Sequence, residues 1–126
     1  MAQLPRVASL HLDAARKSAM GRSAEVLLHD GPLRQSIIAL TAGSRLADHN
    51  SPPAATIQVI EGRIQISSEY TLDEVRAGQL TLLTHDRHGV LAMEDSVFLL
   101  TTVTSIDVGS HTGAESHRRM GQHRLE

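Results

Sequence analysis

The stretch TIQVIEGRIQIS, residues 56–67, decides the fold of this chain, because apolar and polar residues alternate on both sides of Glu61-Gly62. Alternation with a period of two places every second side chain on the same face of a β-strand. A two-residue connection that contains Gly is typical of a tight turn between antiparallel strands. The stretch therefore predicts two strands joined as a β-hairpin at Glu61-Gly62.

Short apolar runs separated by turn residues continue in both directions from this stretch. Asp30-Gly31-Pro32 predicts a second hairpin or another tight connection, and Glu94-Asp95 predicts the turn before the last long strand. Many short strands with no long helical pattern between them favour an all-β barrel or sandwich over parallel βαβ units. The predicted strands are residues 25–29, 33–41, 45–50, 54–61, 63–68, 70–76, 79–84, 89–93 and 96–104.

The length of 126 residues fits one domain. We divide the chain into an N-terminal arm (1–22), a barrel (23–108) and a polar C-terminal tail (109–126). The arm is loosely helical or irregular in pattern, and its segment Val7–Leu12 is our candidate for exchange between two protomers across a two-fold axis. The chain is therefore expected to form a homodimer.

The composition excludes several classes of function. With a formal charge of −2, no Trp, one Phe and one Tyr, the chain has neither a basic stripe nor stacking aromatics, so nucleic acid is not expected as a partner. The absence of Cys excludes a disulfide framework, a thiolate zinc site and a Cys nucleophile. No apolar stretch has the length of a signal peptide or a membrane helix. We therefore expect a cytoplasmic protein with no membrane association.

Histidines are the natural candidates for a site, and the chain has eight of them. We interpret the three in the tail and the one in the arm as solvated, and the one beside Asp30 as a turn or surface residue. Three others differ, because they fall at the ends of predicted strands. These three are His49, His85 and His88.

The segment from Gly43 to Gly62 resembles the first sequence motif of the cupin family. In that motif a Gly is followed six positions later by a His, then by a second His, a Glu and a Gly. Gly43, His49 and Gly62 match this pattern at the family spacing. Ser51 stands where the family has its second His, and Ala55 stands at the Glu position.

The segment 76–88 is similar to the second cupin motif, a Gly-led strand, a turn and a single His. Thr84 stands where the family has Pro, and Asp86 stands where it has Gly. His88 aligns with the family His through a turn that is one residue shorter. Together the two motifs and their strands cover residues 23–108, and the resemblance implies an all-β cupin, a jelly-roll or double-stranded β-helix barrel.

The resemblance also implies where a site would lie. In cupins the His-x-His pair, the Glu and the third His hold a metal inside the barrel. Only His49 and His88 remain here, since Ser51 is a poor metal ligand and Ala55 cannot be one. His85 is a weaker candidate for completing the set. We therefore expect either no cofactor or a weakly held divalent transition metal.

Three functions stay open. The first is a binding module that holds a small polar or anionic molecule through His49, Ser51, His88 and Arg45. The second is a metal-dependent enzyme of oxygenase or isomerase type that uses His49 and His88 as ligands. The third is metal-free acid–base catalysis by one of these two His residues, because an imidazole titrates near neutral pH. We rank the three in this order.

Overall fold

The computed structural model describes residues 1–49, 54–83 and 88–104, which form one helix and nine strands. Ser51, His85 and the tail 109–126 lie outside the described residues. Every described strand lies within about two residues of a predicted strand, except that the first begins earlier. The elements are α1 (Leu4–Lys17), β1 (Arg22–Asp30), β2 (Leu33–Leu40), β3 (Arg45–His49), β4 (Ala54–Glu61), β5 (Arg63–Ser67), β6 (Leu72–Arg76), β7 (Leu80–Leu83), β8 (His88–Ala92) and β9 (Ser96–Val103).

The strands form two antiparallel sheets, one in the order β1-β2-β9-β4-β7 and the other in the order β3-β8-β5-β6. The alternating strands turn their apolar faces towards each other, and both sheets contribute to one core. This arrangement confirms the predicted all-β, jelly-roll class. The larger core side chains are Ile38, Leu40, Leu46, Ile57, Val59, Ile64, Ile66, Val90, Phe98 and Leu100.

The barrel has two ends that differ in their connections, because successive antiparallel strands turn back at opposite ends. We call the end with the turns 41–44, 62, 77–79 and 93–95 the closed end. We call the other end the open end. It contains the turn 31–32 and the connection 68–71, and it is where β3 and β7 finish and β4 and β8 start.

The hairpin predicted at Asp30-Gly31-Pro32 is confirmed. Asp30 pairs with Leu33, so Gly31 and Pro32 form a two-residue loop between β1 and β2. Gly31 has a φ of 56°, in the left-handed region that Gly adopts with least strain. The loop lies at the open end, and the backbone N–H of Thr104 donates to the Pro32 carbonyl over 2.9 Å.

The hairpin predicted at Glu61-Gly62 is wrong. β4 pairs with β7 and β9, whereas β5 pairs with β6 and β8, so the chain passes at Gly62 from one sheet to the other. Gly62 has a φ of 85°, and a Cβ atom there would lie 2.8 Å from the Cα of Ser96 and also meet the Asp95 carbonyl. Only Gly fits this corner. The alternation on each side indicates two strands correctly, but it contains no information about which strands they pair with.

The N-terminal arm is an amphipathic helix that packs on its own sheet. Pro5 lies in the first turn of α1, where its missing N–H is tolerated. The small buried side chains Ala8 and Ala15, together with Leu12, contact Ile37, Ala39 and Val97 on the outer face of the five-stranded sheet. Segment Val7–Leu12, our candidate for exchange between protomers, therefore lies in a helix that packs on its own chain here, and the exchange itself stays a prediction. No helix in the described part of the chain is long and apolar enough to cross a membrane.

Candidate functional site

The positions of His49 and His88 are directly opposite each other at the open end, on β3 and β8. Directly opposed residues of antiparallel strands have Cα atoms about 4.5–5.5 Å apart. The preceding pair joins Leu46 to Val90, so β3 advances three residues while β8 advances two. This extra residue is a β-bulge. The fold thus brings together two candidate residues that are far apart in the sequence.

His88 continues a row of inward-facing positions on β8. Val90 and Ala92 follow it at intervals of two, and both belong to the core between the sheets. His88 itself is only partly buried. The row therefore passes from the fully buried core to a partly exposed imidazole at the open end. This is the environment expected of a side chain that lines the mouth of a pocket.

Arg45 lies on the other face of β3. It is exposed and pairs with Leu91, whereas its neighbour Leu46 is buried in the core. The bulge allows Leu46 and the His49 position to pair with inward-facing residues of β8, but it does not bring Arg45 to that face. We therefore leave Arg45 out of the barrel site, although the sequence made it a candidate.

Ala55 occupies the interior of the barrel, where the resemblance places the carboxylate ligand of the family. Its side chain is 4% exposed and belongs to the main core. A methyl group cannot bind a metal, so the described residues do not complete the four-ligand set. Within residues 1–49, 54–83 and 88–104, no group of three His, Cys, Asp or Glu residues could hold a metal ion together.

A charged residue that the sequence analysis missed lies on the inner face of β2. Arg34 alternates with Ser36, Ile38 and Leu40, and the last two belong to the main core. Its Nε atom is buried, with no hydrogen-bond partner in the described part of the chain. The signal was present, because the alternation of β2 places Arg34 on the core-facing side. Its use required knowing which face of β2 is inward.

Two other histidines have structural or surface positions. His11 of α1 is hydrogen-bonded through Nδ1 to the Ser23 hydroxyl over 2.7 Å and through Nε2 to the Glu25 carboxylate over 2.8 Å. It therefore ties the helix to β1 instead of remaining solvated. His29 is exposed on β1.

A cluster of charges lies on the surface of the closed end, beside a shallow depression that includes Gly62 and Ala77. Glu74 accepts from Arg63 over 3.2 Å and from Arg76 over 3.0 Å, and Arg63 also donates to Glu94 over 3.3 Å. These hydrogen bonds, the one from Arg63 first, lower the pKa of Glu74. The charges satisfy one another and are partly exposed, so the cluster is best interpreted as a surface network.

No model of a known protein family matches the chain, and no curated protein sequence matches it. Solved structures do. A protein of unknown function from Streptococcus pyogenes has a TM-score of 0.64 and 21% identity, with 71% of this chain and 80% of that chain covered. An RmlC-like cupin from Shewanella frigidimarina has a TM-score of 0.62 and 17% identity, with 71% and 81% covered.

A salicylate 1,2-dioxygenase from Pseudaminobacter salicylatoxidans has a TM-score of 0.68 and 15% identity. The match covers 78% of this chain but only 33% of the dioxygenase, so the likeness is to one part of a longer protein. The two antiparallel sheets and these likenesses define a jelly-roll barrel of the cupin type. Within that class, this chain has the fold of a small single-domain cupin. Its structural neighbours include enzymes and proteins of unknown function, so the fold alone assigns no activity.

Proposed function

We propose that this chain is a small-molecule-binding protein whose ligand occupies the open end of the barrel, beside His49 and His88. The observation that carries the proposal is the direct pairing of these two positions at the strand ends, on the row that leads into the core. Barrels of this size hold one small ligand at such an end. Ser51 follows His49 by two residues and is proposed as a third contact.

The chemistry of the pair suits a small polar ligand. A neutral imidazole has one donor and one acceptor nitrogen, so two of them can bind a hydroxyl, carbonyl or carboxylate group. The apolar core beyond Val90 would contact the rest of the ligand. Ala55 removes the carboxylate that a complete family metal site would need, which favours binding without a resident metal.

The test is a thermal-shift screen of small organic acids, sugars and amides, followed by calorimetric titration of the compounds that raise the unfolding temperature. We expect His88→Ala to weaken binding about tenfold or more, since it removes a hydrogen-bonding ligand contact. Arg45→Ala is the matched control, because Arg45 is exposed on the other face of β3. Equal loss of affinity in both variants, or binding that His88→Ala leaves intact, would contradict the proposal.

A metal-dependent enzyme of oxygenase or isomerase type is the second candidate, and the same His49–His88 pairing favours it. Two imidazoles on adjacent strands can contribute two ligands to one divalent transition metal. Metal content measured by inductively coupled plasma mass spectrometry on tag-free protein separates the candidates. About one equivalent of metal, lost in both His49→Ala and His88→Ala, would establish this candidate in place of the first.

We also propose that the protein works as a homodimer in the cytoplasm. The edge strand β1 carries the exposed apolar side chains Val26 and Leu28, which is the kind of surface that a second copy can cover. The absence of Cys agrees with a reducing compartment. Light scattering after size exclusion tests the dimer. A monomeric mass at micromolar concentration, unchanged in Val26→Lys, would contradict it.

A further inference from the structure

Arg34 lies on the inner face of β2 at the open end, and the residue as a whole is partly buried. The residue pairs with Thr102, Thr102 pairs with Ala55, and Ala55 pairs with Leu83, so the four positions form one row across the inner face of the five-stranded sheet. Thr102 is 4% exposed and Ala55 is equally buried. The Nε of Arg34 is buried and has no hydrogen-bond partner among the described residues.

This row lies at the same end of the barrel as His49 and His88. Ala54 follows His49 by five positions in the chain, and His88 follows Leu83 by the same number. Five residues span at most about 18 Å, and packed sheets are about 10 Å apart. The row containing Arg34 and the pair of histidine positions therefore lie on the two sheets of one open end.

A buried guanidinium N–H without an acceptor is unfavourable, because it loses its hydrogen bonds to water and gains none in return. Such a group in a folded protein calls for an explanation, and a bound ligand that supplies the acceptor is one of them. The guanidinium stays charged at all physiological pH values and presents its N–H groups in a planar fork. A carboxylate is the planar anion that matches this fork with two parallel hydrogen bonds.

We propose that Arg34 is a ligand-binding residue that receives the carboxylate of a small organic acid in the barrel. The inference rests on the proposed function, since it names the chemical class of the ligand at that same site. The neighbouring positions fit such a molecule: Ser36 and Thr102 are buried hydroxyl residues, and Ala55 and Leu83 present apolar surface. The ligand is therefore a carboxylic acid with a compact apolar body, anchored by Arg34 and contacted by His88 across the barrel.

The test uses propionate as the probe and propionamide as its neutral counterpart, titrated into full-length protein at constant ionic strength. Nuclear magnetic resonance of protein labelled with ¹⁵N-arginine observes the Nε–H of Arg34 directly, and its assignment comes from the signal that Arg34→Gln removes. Propionate is expected to shift this resonance in a saturable manner, whereas propionamide is not. Equal responses to the two probes, or no response to propionate up to high millimolar concentration, would overturn the proposal.

Substitutions of Arg34 distinguish the contribution of its planar pair of N–H donors from the contribution of its positive charge. Arg34→Gln should weaken propionate binding about tenfold or more, and Arg34→Lys should recover only part of it, because an ammonium cannot donate in the fork geometry. Arg45→Gln is the matched control, since it removes the same charge from the exposed face of β3. A backbone amide spectrum shows that each variant is folded. If Arg45→Gln weakens binding as much as Arg34→Gln, the effect is general electrostatics and the proposal is wrong.

Failure of this inference differs from failure of the proposed function. A ligand from the screen that needs His88 but binds Arg34→Gln with unchanged affinity would refute the role of Arg34 and leave the barrel site in place. In the converse case, propionate shifts the Nε–H resonance of Arg34 while His88→Ala weakens the binding of no ligand. That result would refute the histidine site and leave the carboxylate site in place.

Discussion

One buried polar group at each end of the barrel illustrates a contrast in hydrogen bonding. At the closed end, the Ser96 side chain is fully buried, and its oxygen accepts the Arg63 N–H over 2.9 Å and lies 2.7 Å from the Glu94 carbonyl. At the open end, the buried Nε of Arg34 has no partner in the described part of the chain. The closed end therefore satisfies its buried hydroxyl within the fold, whereas the Nε at the open end is the donor to which our proposal assigns a ligand.

The closed end also joins three parts of the molecule through one carboxylate. Asp95 accepts the backbone N–H of Ala42 over 2.9 Å and the Nε–H of Arg16 over 3.0 Å. It therefore connects the turn before β9 to the turn before β3 and to the helix. Substitutions at this end should reduce stability, whereas substitutions at the open end should reduce binding.

The largest effect should come from Gly62→Ala at the closed end. The new Cβ would meet the Ser96 and Asp95 backbone, and Ala is strained at a φ of 85°. We expect the free energy of unfolding, measured by urea titration, to fall by about 3 kcal/mol or more. Gly78→Ala is the control, because it has nearly the same φ of 87° but no heavy atom within 4 Å of the added Cβ. Equal losses of unfolding free energy in the two variants would show that the close contacts at Gly62 do not contribute to the effect.

Ser96→Ala should have the next largest effect. The substitution leaves the partly buried Arg63 N–H without its acceptor, which costs about 1–3 kcal/mol of unfolding free energy. Ser68→Ala at the open end removes a hydroxyl bonded to Thr71 over 2.6 Å in an exposed setting, and should cost about 0.5 kcal/mol or less. Urea unfolding of both variants measures the difference between the ends. A larger loss of unfolding free energy in Ser68→Ala than in Ser96→Ala would contradict the expected difference between the two ends.

Arg34→Met should change stability in the opposite direction. It replaces an unpaired buried N–H by an apolar side chain of similar length, so the free energy of unfolding should rise by about 1 kcal/mol. The same variant should lose propionate binding. The exposed Arg45→Met is the control, with an expected change of about 0.5 kcal/mol or less. A destabilised Arg34→Met would mean that the guanidinium is already satisfied and has a structural role.

The smallest effect concerns pH. The Ala42 N–H first, and then Arg16, hold the pKa of Asp95 below its usual range. A carboxyl with a lowered pKa stabilises the folded state above its unfolded pKa of about 3.9, and that contribution is lost as the pH falls towards the folded value. Asp95→Asn should therefore cost a fraction of about 1 kcal/mol at pH 7 and less near pH 3, since the pair is partly exposed.

Urea unfolding of the wild type and Asp95→Asn across this pH range checks the prediction. Asp13→Asn is the control, because Asp13 pairs with the same Arg16 over 3.4 Å but accepts no backbone N–H. A difference between wild type and Asp95→Asn that stays constant as the pH falls would show that titration of Asp95 is not involved.

The positions of most strands along the chain were predictable, because they depend on local patterns in the sequence. Alternation in β4 and β5, the loop at Gly31-Pro32 and the turn at Glu94-Asp95 each depend on a few neighbouring residues. The corner at Gly62 was not predictable by the same means. A hairpin and a connection between two sheets can have the same alternating residues and the same Gly at the turn. They differ in which strands, far away in the sequence, pair with the two strands that flank the turn.

The sequence predicted the two histidine positions of the candidate site, but it did not predict which arginine lies on the inner face of the barrel. The motif resemblance named His49 and His88, and the strand pairing places these positions opposite each other. The exposure of the two arginines, however, was not predictable from the sequence. Arg45 is adjacent in sequence to a core residue and is exposed, whereas Arg34 follows a loop and has a buried Nε. Which arginine is inward depends on the sheet register, and the local sequence does not contain that information.

The position of β9 has a consequence for how the protein is made. This strand lies between β2 and β4 in the five-stranded sheet, although it is the last of the described strands in sequence. While a ribosome is still synthesising residues 96–103, the facing edges of β2 and β4 have no partner. Nascent chains therefore expose two unpaired sheet edges until β9 emerges, which makes this interval the one in which chaperones would protect the chain.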